Sequence, residues 1–211
     1  MHMISLLLAF SLVIGTHADG KVSDSNKYVD DLLRKAFPRY SGLVHGAPLP
    51  DFTVPQDAGS HTDGPVLELK RGRVKDFHNM KRLGDCSAPT EQLYSGHTSV
   101  RCFITLDGVK AYYVAITKGH EDRAIIAVFN NSRMHLVVTS YRGEKPYLKT
   151  WSLRSLELRM TYPKYIENKQ GALLRQEIHG TLKDHLLKFV GRKLVPGLEN
   201  AVKSFRQLPP A

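Results

Sequence analysis

Beyond residue 18 the sequence has no run of about eighteen consecutive apolar residues, the length a helix needs to cross a bilayer, so no transmembrane helix is expected in 19–211. Cysteine is scarce: Cys86 and Cys102 are the only two, too few for a disulfide-built miniature scaffold or a cysteine-ligated metal site. Catalytic signatures are missing. There is no Gly-x-Ser-x-Gly elbow, no His-Glu-x-x-His pair (His120-Glu121-Asp122 lacks the second histidine), no glycine-rich phosphate loop and no Cys-x-x-Cys. The ten histidines are scattered, and His179 and His185, six positions apart, point about 120° away from each other on a helix. We therefore expect no metal site, no cofactor and no enzymatic activity. Acid is also in deficit, 20 Asp and Glu against 30 Lys and Arg, for a formal net charge of +10.

What is present begins with an uncharged, largely apolar leader of eighteen residues. Met1 to Ala18 contains no Lys, Arg, Asp or Glu, has an apolar core from Ile4 to Ile14 and ends in Thr16-His17-Ala18, which suits a signal peptidase. This predicts a signal peptide over 1–18, a secreted, extracellular product, and a single domain over 19–211. All of the positive charge then belongs to that domain, which fits a partner rich in anions, such as a glycosaminoglycan or an anionic microbial lipid, and equally fits a need for solubility. In an oxidising compartment Cys86 and Cys102 are expected to be bridged, a loop closure that contributes roughly 3 kcal/mol in the chain-entropy model.

Val29, Leu32, Leu33, Ala36 and Phe37 recur at helical spacing behind the capping candidates Ser23-Asp24-Ser25, predicting one amphipathic helix that Pro38 stops. From Pro38 to Pro65 five prolines and four glycines argue against regular structure, leaving a surface crossing or a strap over an opening. An antiparallel meander of about six strands should follow. It comprises a long or bent strand from Val66 to Leu83, a strand of alternating residues from Val100 to Leu106, a hairpin turn at Asp107-Gly108, and a return over 110–118. Turns at 119–122, at Asn130-Asn131-Ser132-Arg133 and at Arg142 to Pro146 separate the remaining strands, and a phase switch between Leu153 and Leu156 requires a β-bulge near Ser155. Several strands, notably Ala111 to Ile116 and Ala124 to Phe129, are apolar on both faces, so the sheet should wrap around something or line a space.

Beyond Pro163 the helical period returns. Leu174, Ile178, Leu182, Leu186 and Phe189 fall in a sector about 120° wide, with His185 inside or beside it. Leu173, Leu187, Val190 and Leu194 form a second apolar patch, and Gly191 and Pro196 predict a break before a shorter helix. The first stripe, with His185 as a polar anchor, is the candidate lining of a hydrophobic ligand site. In an extended strand Arg71, Arg73 and Lys75 of the run Lys70 to Lys75 share one face, the candidate anion-binding surface; a charged edge that deters aggregation is the other reading. The run lacks interleaved aromatics, so nucleic acid is not an expected partner. Asn130-Asn131-Ser132 is a glycosylation sequon, placed by this reading on a hairpin tip.

Met80-Lys81-Arg82-Leu83-Gly84-Asp85, with Leu49-Pro50-Asp51 before it and Leu194-Val195-Pro196-Gly197-Leu198 after it, resembles the arthropod group 7 mite allergens. These resemble in turn the lipid-binding super-roll proteins, among them bactericidal/permeability-increasing protein, lipopolysaccharide-binding protein and juvenile-hormone-binding proteins. The resemblance implies an α+β fold in which a strongly curved antiparallel sheet wraps a long C-terminal helix and encloses an apolar groove. It implies a secreted carrier or sensor of lipid-like ligands. The alternative is a basic surface-binding module with a filled core.

Overall fold

The computed structural model describes residues 21–55, 66–92, 95–117, 122–167 and 171–211. The expected signal peptide, the last ten residues of the Pro/Gly-rich connection (56–65) and most of the 119–122 turn lie outside them. The chain enters through a helix over 21–40, so the expected caps at 23–25 lie within it. Val29, Leu32, Leu33, Ala36 and Phe37 are all buried, as their spacing requires. Pro38 does not stop this helix. A proline lacks the N–H and crowds the carbonyl four residues back, and the chain accommodates it by widening to a π-helical segment over Leu32–Ala36 before a last α-turn, Phe37–Tyr40.

The connection is more ordered than its composition suggests. Two short strands, β1 (Ala47–Pro48) and β2 (Phe52–Pro55), pair along the outer edge of β3 (Val66–Lys75). Proline is tolerated in both because an edge strand leaves one side of its backbone unpaired. A 3₁₀ turn (Phe77–Asn79) leads to β4 (Lys81–Arg82), then β5 (Thr90–Gln92), β6 (His97–Thr105), β7 (Lys110–Ile116), β8 (Arg123–Tyr141) and β9 (Tyr147–Thr161).

The pairing register rearranges the expected meander. β6 and β7 do not pair with each other; both run antiparallel to β8, with His97 opposite Tyr141, Thr105 opposite Arg133, Lys110 opposite Val128 and Ala115 opposite Arg123. They form one interrupted line, so Asp107-Gly108 is a break rather than a hairpin. The reason is conformational: a type I′ hairpin needs positive φ at both central residues, and of this pair Gly108 alone has it. Likewise β8 passes straight through the expected turn at Asn130 to Arg133, bending at Asn131, whose φ is +48°. β3 and β4 similarly lie in one line along β7 and β6, which is the bent strand expected from Val66 to Leu83. The architecture is four long antiparallel lines with short edge pieces.

The irregularities of neighbouring lines face each other and are tied together. Asn79 Nδ2 donates to the Gly108 carbonyl at 2.8 Å, and the Ser132 N–H donates to Asp107 Oδ1 at 2.8 Å. The Ser132 hydroxyl accepts from the Glu157 N–H at 3.1 Å, and Ser155 Oγ donates to the Asn131 carbonyl at 2.6 Å. The expected bulge near Ser155 is the β9 member of this seam, where the register with β8 shifts around the Arg133–Ser155 pair. A transverse seam of matched bulges lets the sheet bend across its strands while its backbone groups remain bonded.

Beyond a short helix, Lys164–Glu167, the C-terminal helix runs from residue 172 to residue 203 without the expected break. Its central segment, Val190–Leu194, is π-helical, and Pro196 follows at the start of the resumed α-helix, the same arrangement as at Pro38. Leu174, Ile178, Leu182, Leu186 and Phe189 are buried in the common core with Ile104, Met134, Leu136 and Ile125 of the sheet. The second expected patch divides: Val190 and Leu194 are buried, while Leu173 and Leu187 are exposed.

Candidate functional site

The three segments that carry the family resemblance prove to be fastenings. Asn26 of the first helix accepts from the Cys86 N–H at 2.8 Å, and Arg82 reaches Asp30 at 3.2 Å, which fixes that helix to β4 and the disulfide-bearing loop. Cys86 and Cys102 are bridged, as expected. Gly197 lies so close to Ser41 and Leu43 that an added Cβ would stand 3.0 Å from the Ser41 Cβ, so a glycine here lets the C-terminal helix approach the end of the first.

The third segment lies between β1 and β2, which together form a strap along β3. The Leu49 N–H donates to the Gly72 carbonyl at 2.9 Å, Tyr113 Oη donates to the Pro50 carbonyl at 2.9 Å, and Asp51 Oδ1 accepts the Arg71 N–H at 2.8 Å. Arg71 has φ of +58° at a bulge in β3, and the Asp51 carboxylate satisfies the backbone donor that the bulge turns out of the ladder. Arg71, Arg73 and Lys75 are exposed and alternate with the inward Gly72 and Val74, the shared face read from the sequence, and at the bulge Lys70 is exposed beside them. Lys70 pairs with Glu68 at 2.5 Å, and Lys75 lies over the Tyr112 ring.

Phe52, also on the strap, meets two rings edge-on, Tyr113 and His185, each with centroids 5.2 Å apart. His185 therefore sits beside the stripe, under the strap, and among the described residues no group bonds its buried Nδ1. Burial and then the nearby Lys188 lower its pKa, with Asp184 opposing them, so the imidazole is held neutral around pH 7. The five apolar stripe residues are packed side chains of the core.

The seam also shapes the surface at its first member. The 3₁₀ turn places Phe77 between two helices: its ring stacks on Phe189 of the stripe at 5.9 Å and meets Phe37 of the first helix at 6.1 Å. Above them opens a cleft of about 310 Å³ lined by Phe37, Pro38, Leu43, Phe77, His45, His78, Lys75 and Asp76. Asp76 bonds Lys110 at 3.2 Å and Tyr112 at 3.3 Å, so its charge is compensated outside the cleft and Lys75 dominates the rim. A neighbouring cleft of about 430 Å³ shares His78 and has Leu33 and Met80 in its wall. The structure thus brings one member of the basic run, Lys75, into one cleft with Phe77, whose ring stacks on Phe189 at the end of the helix stripe. Phe77 was not among the residues singled out in the sequence, because a lone aromatic after a strand carries no periodic signal.

Asn130 is exposed, in mid-strand on the seam rather than on a hairpin tip, and Ser132 of its sequon is buried. Among the described residues no group of three His, Cys, Asp or Glu side chains is placed to hold a metal ion, and no helix is long and apolar enough to cross a membrane.

No protein-family model matches the chain. A salivary anticoagulant protein of Ixodes scapularis is 29% identical over 123 residues, a match that covers 54% of this chain and 53% of that protein, about half of its length. Among solved structures, lipopolysaccharide binding protein superposes with a TM-score of 0.53 at 14% identity, covering 89% of this chain and 39% of that one. Takeout 1 of Epiphyas postvittana gives a TM-score of 0.42 at 15% identity, covering 84% of this chain and 91% of the other. At such identity the likeness to lipopolysaccharide binding protein concerns the fold, and it is the super-roll fold that the sequence led us to expect. The narrower likeness to mite allergens is not among these matches.

Proposed function

We propose that this super-roll protein is a secreted, non-enzymatic binder of amphipathic, lipid-like molecules. The observation that carries this reading is the cleft at Phe37 and Phe77, whose aromatic floor is continuous with Phe189 of the helix stripe and whose rim carries Lys75, His45 and His78. An apolar chain would lie on the floor and an anionic head would meet the rim. The volume of about 310 Å³ falls at the lower end of small-molecule sites. Burying about ten methylenes at about 0.8 kcal/mol each offers about 8 kcal/mol before binding entropy is subtracted, which places capture in the micromolar range at best. The names of the similar proteins lend support: one is a lipopolysaccharide binder and one is salivary, in keeping with an extracellular, binding role.

Native mass spectrometry after gentle purification, followed by uptake of a fluorescent fatty acid, tests this reading. A clean ligand-free mass together with no probe uptake would count decisively against it. The second reading, a basic surface module with a filled interior, is favoured by the complete burial of the five stripe residues in the core. It predicts that polyanion binding occurs without any uptake of the fatty acid.

A further inference from the structure

Three adjacent strand segments, 97–106, 131–141 and, on the edge strand β9, 147–156, contain Arg101, Arg133, Lys149 and Arg154 and no Asp or Glu. Register places the first set on one surface. Cys102, Ile104, Met134 and Leu136 are buried inward, so Arg101, Phe103, Arg133 and His135 alternate to the outer face, with Phe103 directly opposite His135. On β9, Leu153 lies opposite the inward Met134, which turns its neighbour Arg154 outward.

The rings of Phe103 and His135 lie 4.9 Å apart, and Phe103 is 42% exposed. Arg101, Arg133 and Arg154 are exposed around them, and none is paired with an acid among the described residues. The nearest acids in sequence on these strands are already engaged, Asp107 by the Ser132 N–H and Glu157 by Asn131 Nδ2 at 3.1 Å. The Lys70 to Lys75 run differs, since Glu68 and Asp51 stand beside it.

We infer that this outer face, centred on Arg101, Arg133 and Arg154 around Phe103, binds a sulfated polysaccharide. Guanidinium forks match the planar oxygen pairs of a sulfate, and three of them spread over about 13 Å along the strands and about 10 Å across them address several sulfates of one chain rather than a single ion. The outward Thr150 and Ser152, opposite Val137 and His135, offer hydroxyls for sugar, and the exposed ring of Phe103 suits a sugar face. An anionic membrane fits less well, because surface-seated proteins insert a broad apolar stripe, whereas the apolar side chains set among these arginines are Phe103 and the half-buried Val137. A single-stranded nucleic acid would call for a row of aromatic platforms. The inference is independent of the cleft and its ligand.

The test uses the full chain and a heparin dodecasaccharide, titrated at several salt concentrations. The Arg101→Ser/Arg133→Ser/Arg154→Ser variant should bind at least about tenfold more weakly and show a shallower salt dependence, by about two to three in the log–log slope. The charge-matched Lys70→Ser/Arg71→Asn/Arg73→Ser variant should bind as the unaltered protein does. A readout that needs no variant is the titration of His135 by NMR. Burial and the fields of Arg154 and Arg101 lower its pKa, so a polyanion seated on those arginines should raise it. Equal binding by the arginine variant, equal losses in both variants, an unmoved His135, or binding confined to phosphatidylserine vesicles would each overturn the inference.

Discussion

The Tyr113 ring occupies the space that a side chain at Gly72 would need: a Cβ there would stand within 2.8 Å of Tyr113 Oη and overlap the ring itself. Tyr113 is buried, its hydroxyl bonds the strap at Pro50, and its ring supports Phe52, which in turn covers His185. Gly72→Ala should therefore destabilise the fold by about 1–3 kcal/mol, the range for overpacking a well-filled site, and loosen the strap. Denaturant unfolding measures the first effect, and faster hydrogen exchange at the Leu49 and Arg71 amides the second.

The seam makes a separate prediction at Ser132, whose side chain is buried and whose hydroxyl lies 3.1 Å from both the Glu157 N–H and the Glu157 carbonyl. Ser132→Ala leaves those groups short of a partner and should cost about 1–3 kcal/mol. Asn130→Gln abolishes the same sequon at an exposed position and should leave unfolding of the unglycosylated protein within about 0.5 kcal/mol of wild type. If glycosylation is used, a mass difference between the protein and its Asn130→Gln variant from a secreting eukaryotic host reveals it.

Asp31 ties the two ends of the fold together, bonding Lys35 at 2.9 Å, Lys27 at 3.2 Å and Arg206 at 3.2 Å. Hydrogen bonds from Lys35 and then Lys27 lower its pKa to about 2. Because the folded value lies below the unfolded one, near 4, this carboxylate stabilises the protein above pH 4 and ceases to as pH falls through about 2. Asp31→Asn should lower Tm at pH 7, and the gap from wild type should close between about pH 4 and pH 2.

At His185 stability and binding should separate. Its Nδ1 is buried without a partner among the described residues, a cost that an apolar ring avoids, so His185→Phe should be as stable as wild type or more stable by up to about 1 kcal/mol at pH 7. If His185 anchors a ligand head, the same variant binds the fatty-acid probe more weakly despite its stability. Unchanged probe affinity would assign His185 to packing alone.

The sequence disclosed the parts governed by periodicity. The helix stripe from Leu174 to Phe189, the inward strand residues and the bulge near Ser155 all follow from counting apolar residues against 3.6 and 2. Local turn chemistry misled where tertiary pairing outweighed it. Asp107-Gly108 and Asn130-Asn131 have hairpin composition, yet each pair supplies only one positive φ: Asp107-Gly108 interrupts a line whose two halves both pair with β8, and Asn130-Asn131 lies within β8 itself. At Arg142-Gly143, where both residues have positive φ, the expected turn does form. Pro38 and Pro196 looked like stops because π-helical widening has no sequence signature of its own. The aromatic cleft was illegible for a related reason: Phe37, Phe77 and Phe189 come together only through the bend and the two helices.

The most direct test of the proposed function is a titration of a fluorescent long-chain fatty acid into the wild type and into Phe77→Ala and Lys75→Glu. The proposal predicts saturable, micromolar binding of one probe per chain. Phe77→Ala should weaken both the acid and its methyl ester, whereas Lys75→Glu should weaken the acid by about fivefold or more and leave the ester largely unaffected. No saturable uptake by the wild type, or uptake that neither substitution changes, would contradict it.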